Sequence, residues 1–322
     1  MATETPAASS GQPKWPSKTR EIQNHTFDST VWEKFHFRND DIIVATWAKS
    51  GTTWMQQIVL QLLTLGSEEG NLHETSPWLD MRLVPQQPTL AALEAQDHRR
   101  CVKTHLPVDA LVYSPKAKYI FVGRDGRDAL WSMHNHYHRA NDMFYQMFNE
   151  TPGRVGPALE RPPADPVEYF RNLLRDDHDF TKTHSPFFEH IRSWWEIRQL
   201  PNILFVHFSD LKADRKGELE RISKFLGVDV PEERWGAIME HTSFEWMKQN
   251  SNRMSPPGTE VVFEGGSKSF INKGTNGRWV DELSTEDVSR YEEKARGELG
   301  ADCAEWLAKG SSALSAQKAT VS

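Results

Sequence analysis

The sequence predicts a single α/β domain in which helices flank a central parallel sheet, with a P-loop-like strand–loop–helix near its start. Short apolar runs rich in β-branched residues alternate with helix-like runs, and this alternation is typical of a parallel sheet covered on both faces. A chain of 322 residues is long enough for one such domain. The predicted strands are Asp41–Thr46, Cys101–Thr104, Tyr119–Gly123 and Ile203–His207, and the predicted helices are Thr53–Leu65, Asp128–His138, His184–Arg198 and Lys216–Leu226.

The domain is predicted to cover residues 17–310, between a flexible N-terminal arm (1–16) and a flexible tail (311–322), because both ends are rich in small residues. Two segments break the alternation of strands and helices and are expected to be long loops, residues 141–177 and 251–275. The acidic run at residues 281–293 is interpreted as an exposed helix face.

Composition disfavours several classes of function. The chain has 38 basic and 45 acidic residues, a net charge of −7, so we expect no nucleic-acid partner and no polyanionic acceptor, although a local pocket for a small anion fits. The two cysteines, Cys101 and Cys303, give neither a disulfide framework nor a metal-ligand spacing, which favours a reducing compartment. No apolar signal segment follows Met1, and no apolar run is long enough for a bilayer. We therefore predict a cytoplasmic protein without a membrane partner.

The first predicted strand and helix are joined by a loop suited to an anion. The loop consists of Lys49, Ser50, Gly51, Thr52, Thr53 and Trp54. Backbone N–H groups of such a loop and of the first helical turn bind phosphate-like groups, and the lysine adds a positive charge. The order of residues differs from that of a Walker A loop. Taken alone, the segment is equally compatible with an ordinary strand–turn–helix corner.

Two further predicted strands end in polar side chains. Lys103 and His105 flank the end of the second strand, Arg124 follows the third, and Ser132 lies in the next helix. Because ligands of open α/β sheets bind beyond the carboxyl ends of the strands, we expect these residues near Lys49. An arginine fork with a hydroxyl is a sound phosphate clamp. Taken singly, a structural imidazole and a solvated charged turn are the more common roles of such residues.

In this order the segments resemble those of the cytosolic-type sulfotransferases, over about residues 31–300. Residues 49–54 are similar to the family's 5′-phosphosulfate loop, and Lys-Thr-His-Leu-Pro (103–107) to the segment that carries the catalytic histidine. The family's donor is 3′-phosphoadenosine 5′-phosphosulfate (PAPS). The resemblance implies that Arg124 and Ser132 hold its 3′-phosphate. It further implies an adenine site with Phe208, Thr242 and Phe244, and a closing segment with Asn272, Lys273 and Gly274. Core packing would explain each of these later residues equally well if it stood alone.

The implied reaction transfers a sulfuryl group from PAPS to a hydroxyl (phenol or alcohol) or an amine of a small acceptor, leaves adenosine 3′,5′-bisphosphate (PAP), and needs no metal. His105 would act as general base, and Lys49 would neutralise charge on the leaving phosphate. Lys103 would steady the sulfuryl or acceptor oxygen, and Ser132 would restrain Lys49 until the acceptor binds. An apolar or aromatic acceptor is expected if its pocket is walled by Pro77, Trp78, Met81, His105, Phe144, Tyr145 and Phe148. Hydrophobic loop anchoring accounts for these wall residues equally well.

The sequence departs from the family pattern at four places. Phe208 stands where many members have tyrosine, and Arg278 stands at the position of an aspartate. Asn272 replaces an arginine, which should weaken the grip on the 3′-phosphate unless Arg278 or Lys268 compensates. The dimerisation motif of many animal members is not recognisable, so a homodimer is one option for this chain and not an assumption.

Two other classes of protein are alternatives to this interpretation. A P-loop-like small-molecule kinase would need ATP and magnesium, and would explain neither Arg124 with Ser132 nor His105. A non-catalytic nucleotide-binding or scaffolding protein would not need Lys49, His105 and Ser132 together. A metal site on the helix with His134, His136 and His138 is disfavoured, since only the first and last share a face and no third ligand is evident.

Overall fold

The computed structural model describes residues 14–67, 70–153, 155–175 and 185–311. Its strands are β1 (Ile42–Thr46), β2 (Cys101–Thr104), β3 (Lys118–Gly123) and β4 (Ile203–His207). Its α-helices are α1 (Thr52–Leu63), α2 (Leu72–Thr75), α3 (Gln86–Ala95), α4 (Gly126–His138), α5 (Asp142–Asn149), α6 (Pro166–Leu174), α7 (Phe187–Trp195), α8 (Phe208–Ala213), α9 (Arg215–Leu226), α10 (Trp235–His241), α11 (Phe244–Gln249), α12 (Ser251–Met254), α13 (Thr259–Val262), α14 (Gly266–Phe270), α15 (Thr285–Leu299) and α16 (Ala301–Lys309). Short 3₁₀ helices cover Ser29–Glu33, Val108–Ala110 and Glu232–Arg234.

The four strands form one parallel sheet in the order β2-β1-β3-β4. The register pairs Ala45 with Thr104 and Thr46 with Val122. Because the strands run in one direction and are offset by little, their carboxyl ends meet at one edge of the sheet. The predicted α/β class is confirmed, and the predicted strands agree with the observed ones to within one residue at each end.

Alternating side chains give each face of the sheet its own hydrophobic core. Ile43 and Ala45 of β1 join a cluster with side chains of α4, α6, α7, α15 and α16, whereas Ile42 and Val44 join one with side chains of α1, α9 and α10. Every residue of β1 is buried. Burial on both faces explains why this strand is a continuous apolar run in the sequence and not an alternating one.

The observed helices differ from the predicted ones in where they begin and end. α1 begins at Thr52 because Gly51, with φ of 105°, is its N-cap. α7 begins at Phe187, after Pro186 in extended backbone with ψ of 135°. The predicted start of that helix, His184, lies outside the described residues.

The two segments that were expected to be long loops contain helices, so that expectation is wrong. α5 and α6 lie within residues 141–177, and α12, α13 and α14 lie within residues 251–275. These helices have only four to nine residues each. Such short helices repeat their apolar positions too few times to produce a helical period in the sequence.

The acidic run is partly structural and not only an exposed face. Asp287, near the start of α15, is buried and forms a capping box with Ser284. Its carboxylate also accepts hydrogen bonds from the guanidinium of Arg171 at 2.8 and 2.9 Å. The side-chain bonds from Arg171 and Ser284 lower the pKa of this carboxyl.

The ends of the described chain contact the domain. Trp15 stacks on Tyr113 with ring centroids 6.0 Å apart, and the Ser311 N–H donates to the Asp210 carboxylate at 2.9 Å. The rest of the predicted arm and tail, residues 1–13 and 312–322, lies outside the described residues. Among the helices that the structure describes, each is too short or too polar to span a membrane.

A buried ion pair joins the amino ends of β1 and β2. The Arg100 guanidinium donates to both carboxylate oxygens of Asp41, at 2.9 and 2.6 Å, and to the carbonyl oxygen of His36 at 2.7 Å. Arg100 and Asp41 are 0% and 1% exposed. Removing Arg100 would leave the buried Asp41 carboxylate with the backbone N–H of Arg38, at 2.8 Å, as its remaining donor among the described residues.

Replacing Arg100 with methionine is therefore expected to lower the free energy of unfolding by about 3–5 kcal/mol. Urea unfolding followed by tryptophan fluorescence measures this change. The control is Arg290→Met, which removes a pair with Glu286 whose side chains are 68% and 72% exposed, and should leave stability unchanged within error. An Arg100→Met protein as stable as the wild type would contradict the assigned importance of the pair.

Candidate active site

A cavity of about 1040 Å³ opens at the edge of the sheet where the strands end. Its volume is at the upper end of the usual range for ligand pockets, about 300–1,000 Å³, so it has room for a nucleotide and a second small molecule. The walls include residues that follow each of the four strands: Lys49 after β1, Lys103 and His105 at the end of β2, Arg124 after β3 and Phe208 after β4. The predicted convergence of these residues is therefore observed.

The loop between β1 and α1 has an unusual backbone that aims N–H groups at the cavity. Lys49 has φ of 65° and Gly51 has φ of 105°, both in the left-handed region. A Cβ on Gly51 would lie 2.8 Å from Cδ2 of Phe208, so the close approach of these two residues requires glycine. No side chain caps the start of α1, and the N–H groups of its first turn remain available to an anion. The buried Ser50 hydroxyl likewise has no hydrogen-bond partner among the described residues.

Arg124 ties this loop to the segment at residues 272–278. Its guanidinium donates to the carbonyl oxygens of Lys49 at 2.9 Å and Thr275 at 3.0 Å, and to Oδ1 of Asn276 at 3.1 Å. The group also lies over the Phe208 ring, 4.3 Å from its centroid. Burial lowers the pKa of Arg124 to about 10, which still leaves it cationic at neutral pH. Its position on the cavity wall is thus held by three hydrogen bonds.

Two lysine side chains place positive charge in the same cavity. The pKa of Lys49 is lowered to about 8, mainly by burial and then by the charge of Arg124. The pKa of Lys103 is lowered to about 7, mainly by burial and then by Lys49, while Asp80 acts in the opposite direction. The ammonium of Lys103 lies 4.4 Å from the ring centroid of Trp78. A bound anion would relieve the repulsion between these groups.

The tautomer of His105 follows from its hydrogen bond to the end of β1. Its Nδ1 atom lies 2.8 Å from the carbonyl oxygen of Thr46, which can only accept a hydrogen bond. The Thr46 hydroxyl oxygen is 3.1 Å from the same nitrogen and can also accept from it, since Oγ1 of Thr52, at 2.6 Å, can take the hydroxyl hydrogen. In the neutral imidazole, Nδ1 therefore carries the hydrogen and Nε2 carries the lone pair. His105 lines the cavity, and its ring lies edge-on to Trp78 at 4.7 Å and 86°. The geometry provides a proton acceptor beside two lysines.

Most of the predicted site residues line this cavity. They are Lys49, Gly51, Thr52, Thr53, Trp54, Pro77, Trp78, Met81, Lys103, His105, Arg124, Ser132, Phe144, Phe148, Phe208, Phe244, Asn272, Lys273 and Gly274.

Three predicted residues lie behind the cavity wall and not on it. Ser50, which is part of the loop, is fully buried. The hydroxyl of Tyr145 turns away to donate to the carbonyl oxygen of Tyr137 at 2.8 Å, and Tyr145 is absent from the cavity lining. Thr242 is also fully buried, and its carbonyl oxygen accepts the indole N–H of Trp54 at 2.8 Å. The same oxygen accepts a bond from Nη1 of Arg215 at 3.5 Å, so Thr242 supports the cavity wall through Trp54 and Arg215, both of which line it.

The segment at residues 272–274 is fixed by its backbone. Lys248 donates to the carbonyl oxygen of Asn272 at 2.8 Å, and Lys212 donates to that of Gly274 at 2.7 Å. Gly274 has φ of 62°, and a Cβ there would lie 2.7 Å from the Phe244 ring. Glycine is therefore required for this segment to approach the phenylalanine.

Of the two cations considered as substitutes for a missing arginine at Asn272, only Arg278 lines the cavity. Its Nη2 donates to Oδ1 of Asn135 at 3.3 Å, and its charge contributes to lowering the pKa of Arg124. Lys268 is exposed at the end of α14 and is absent from the cavity lining.

The histidine-rich face of α4 shows no sign of a metal centre. Nε2 of His134 is 2.9 Å from the carbonyl oxygen of Pro163, to which it donates. His136 lines the cavity among aromatic rings and lies 4.7 Å from Phe263. Within the described ranges of the chain, no cluster of three or more His, Cys, Asp or Glu side chains could hold a metal ion.

Two residues that the sequence interpretation missed lie near Lys103. His73 lines it, and burial together with the charge of Lys103 lowers the pKa of this imidazole to about 3. Asp80 is buried behind Trp78 and accepts its indole N–H. An acid in the otherwise apolar run at residues 77–81 is the signal that could have indicated Asp80, whereas nothing in the sequence distinguishes His73 from the other histidines.

Comparison with known proteins yields a consistent result. The family model described as the sulfotransferase domain matches residues 39–307. A glycolipid sulfotransferase of Mycobacterium tuberculosis is 30% identical over 304 residues, which cover 88% of this chain and 92% of that protein. Rat sulfotransferase 1A1 is 30% identical over 262 residues, 79% of this chain and 82% of that protein.

Solved structures share the fold. Mouse sulfotransferase SULT7A1, crystallised with PAP, superimposes with a TM-score of 0.63 at 22% identity over 87% of this chain and 92% of that one. A retinol dehydratase in a complex with retinol and PAP gives the same TM-score and identity over 84% of each chain. At this identity the comparison speaks to the fold alone.

The amines of Lys103 and Lys49 are expected to titrate far below those of surface lysines, with pKa values of about 7 and about 8. Carbon-13 NMR of lysine labelled at the ε position measures this, with Lys49→Arg and Lys103→Arg variants to assign the signals. Since unfolded lysines stay protonated to about pH 10.4, the folded protein binds fewer protons between pH 7 and 10, and these groups make stability rise with pH there. Titration of both amines together with the surface lysines would contradict the described electrostatics.

Proposed function

This chain belongs to the sulfotransferase family, and we propose that its cavity transfers a sulfuryl group from PAPS to the hydroxyl of a small apolar or aromatic acceptor, with His105 as the base. It is accordingly a PAPS-dependent transferase, and an ATP-dependent kinase is not favoured. The observation that carries the proposed chemistry is the hydrogen bond from His105 to the Thr46 carbonyl oxygen. That bond leaves the lone pair on the other ring nitrogen, in a cavity that Lys49 and Lys103 also line.

The loop at residues 49–54 has the features that a phosphosulfate requires. The first-turn N–H groups of α1 and the Lys49 ammonium supply donors and charge. The donor supplies an activated sulfuryl group on the bridging oxygen of its 5′-phosphate. Lys49 is suited to neutralise the charge that develops on that oxygen as its bond to sulfur breaks. Lys103, on the neighbouring strand, is suited to steady the sulfuryl or acceptor oxygen.

His105 takes the proton of the acceptor in this proposal. As the acceptor oxygen forms its bond to sulfur, its hydrogen passes to Nε2, and the resulting imidazolium keeps its Nδ1–H bond to the Thr46 carbonyl oxygen. In a displacement of this kind the protein contributes positioning and electrostatic stabilisation and forms no covalent intermediate.

The 3′-phosphate is assigned to Arg124, Ser132, Lys273 and Arg278, which all line the cavity. Arg124 has three of its five N–H groups bonded to protein acceptors and keeps two for a ligand. Asn272 cannot supply the charge of an arginine, and Arg278 is the cavity cation that compensates. The adenine is assigned to the rings of Trp54, Phe208 and Phe244.

An apolar or aromatic acceptor is supported by the remaining walls. Trp78, Phe144, Phe148 and Phe263 line the cavity on the acceptor side. Met147, at the same wall, is 42% exposed, so apolar surface continues toward solvent. The name of the mycobacterial relative states a glycolipid acceptor for that protein. A sequence identity of 30% to this relative supports the same type of reaction in this chain. The proposed class of acceptor is inferred instead from the apolar residues that line the cavity.

A cytoplasmic location completes the proposal. Cys101 and Cys303 are both buried free thiols, as a reducing compartment allows. A homodimer and the division into an arm, one domain over residues 17–310 and a tail remain predictions, which size-exclusion chromatography with light scattering and limited proteolysis would test.

Replacing His105 with alanine is expected to reduce turnover by about 10²–10⁴-fold while leaving PAP affinity unchanged, because the base contacts the acceptor and not the nucleotide. The assay follows sulfation of 2-naphthol and of long-chain alcohols with PAPS, and calorimetry measures PAP binding. His98→Ala, which removes an exposed imidazole far from the cavity lining, is the matched control.

Retained turnover in His105→Ala would reject this histidine as the base. If the wild-type protein binds ATP–Mg²⁺ but not PAP, and transfers phosphate in place of sulfate, the proposed reaction itself is wrong.

Replacing Arg278 with alanine is expected to weaken PAP binding about tenfold or more, the loss typical of one charge-assisted contact of about 1.5–3 kcal/mol. Affinity for adenosine 5′-phosphate, which lacks the 3′-phosphate, should change little. Lys268→Ala is the control, since that lysine does not line the cavity. An equal loss for both nucleotides, or the larger loss in Lys268→Ala, would contradict the role of Arg278.

A further inference from the structure

Four hydrogen-bond donors converge on the carboxylate of Asp80, which is 1% exposed. The indole N–H of Trp32 donates to Oδ2 at 2.9 Å, and the indole N–H of Trp78 donates to Oδ1. The Thr104 hydroxyl and the backbone N–H of His105 donate to the same carboxylate. Burial raises the pKa of this carboxyl, and the four hydrogen bonds act against that shift by stabilising the ionised form.

Asp80 thereby holds the aromatic side chain that contacts both proposed reacting groups. The Trp78 ring lies edge-on to the imidazole of His105, with centroids 4.7 Å apart, and its face lies 4.4 Å from the Lys103 ammonium. Trp78 also lines the cavity on the acceptor side. A rotation of this indole would change the packing of the base, the position of the lysine and the acceptor wall together.

We propose that Asp80 is a positioning residue for sulfuryl transfer, acting through Trp78 to fix where the acceptor hydroxyl meets His105 and Lys103. This inference rests on the proposed function of the same cavity. Asp80 has no contact with the cavity itself, since its carboxylate lies behind the indole and is absent from the lining. Its effect on the reaction is therefore indirect and passes through the tryptophan.

The negative charge of Asp80 has a second effect on the same site. It favours the protonated form of Lys103, against the burial and the repulsion from Lys49 that disfavour it. The charged and titratable groups that interact with Lys103 are Lys49 and His73 on the cavity lining and Asp80 behind it. Loss of the carboxylate charge should shift the titration of Lys103 to lower pH.

The two indoles on this carboxylate provide a matched pair for a test. Trp32 and Trp78 donate to the two oxygens of one side chain. Trp32 is fully buried in the hydrophobic core and does not line the cavity. A purely structural role for Asp80 would make both bonds matter equally to folding and neither matter to the acceptor.

The experiment compares Asp80→Asn, Trp78→Phe, Trp32→Phe and the double variant Asp80→Asn/Trp78→Phe. For each protein, kcat and KM for 2-naphthol are measured at saturating PAPS, and PAP affinity is measured by calorimetry. Asp80→Asn and Trp78→Phe are each expected to lower kcat/KM for the acceptor about 10–100-fold with PAP affinity unchanged, since small displacements of reacting groups carry costs of this size. Trp32→Phe should lower thermal stability and leave kcat/KM within about twofold of the wild type.

The double variant tests the route through Trp78. If Asp80 acts through the indole, Asp80→Asn should cost only about twofold more in the Trp78→Phe background. Fully additive losses, or a loss of PAP affinity equal to the loss of kcat/KM, would overturn the proposal. If Trp32→Phe lowers kcat/KM for the acceptor as much as Trp78→Phe does, Asp80 has only a structural role.

A measurement made in the absence of both acceptor and PAPS tests the role of Asp80 independently of the proposed function. In ε-¹³C-lysine spectra, Lys103 of Asp80→Asn should titrate at lower pH than in the wild type, whereas Trp32→Phe should leave it unchanged. An unshifted Lys103 in folded Asp80→Asn would overturn the electrostatic part even if the enzyme sulfates no test phenol. If Asp80→Asn does not fold, the comparison of Trp78→Phe with Trp32→Phe decides the proposal.

Discussion

The hydrogen bond between Nδ1 of His105 and the carbonyl oxygen of Thr46 is the contact on which the chemistry of this site depends. It exists because β1 and β2 are adjacent and parallel, with Ala45 opposite Thr104, so that the last residue of one strand meets the first residue after the other. A backbone carbonyl cannot donate a hydrogen bond, and it therefore selects one tautomer of the neutral imidazole. The fold thus determines which ring nitrogen can accept a proton.

Placing positive charges around this imidazole costs free energy, and the binding of an anionic donor would offset that cost. Burial disfavours the charged forms of Lys49, Lys103 and Arg124, and these cations also repel one another. The structure holds them with aromatic faces and backbone carbonyl oxygens: Phe208 and two carbonyl oxygens for Arg124, and Trp78 for Lys103. Such an array suits a donor with phosphate groups at both its 5′ and 3′ positions. The same electrostatics account for a net acidic chain that binds a polyanion in one local pocket.

Much of the sheet and the polar edge could be predicted from the sequence, because buried parallel strands are continuous apolar runs and their carboxyl ends must meet. The short helices within residues 141–175 and 251–275 could not, since helices of four to nine residues show too few periods. A second limit on prediction is that the sequence does not show the direction in which a side chain points. Tyr145 and Thr242 lie in the predicted segments but turn their polar groups to backbone partners. Asp80 was missed because its role depends on where two distant indoles converge, which no local pattern encodes.

The most direct test of the account is the protonation state of His105 in the resting enzyme. Nitrogen-15 NMR of histidine-labelled protein, with the signal assigned by His105→Ala, distinguishes the two neutral tautomers and the imidazolium. The account predicts a neutral ring at pH 7.5 with the hydrogen on Nδ1 and an unprotonated Nε2. A hydrogen on Nε2, or an imidazolium at that pH, would contradict the assignment of His105 as the base that the Thr46 carbonyl prepares.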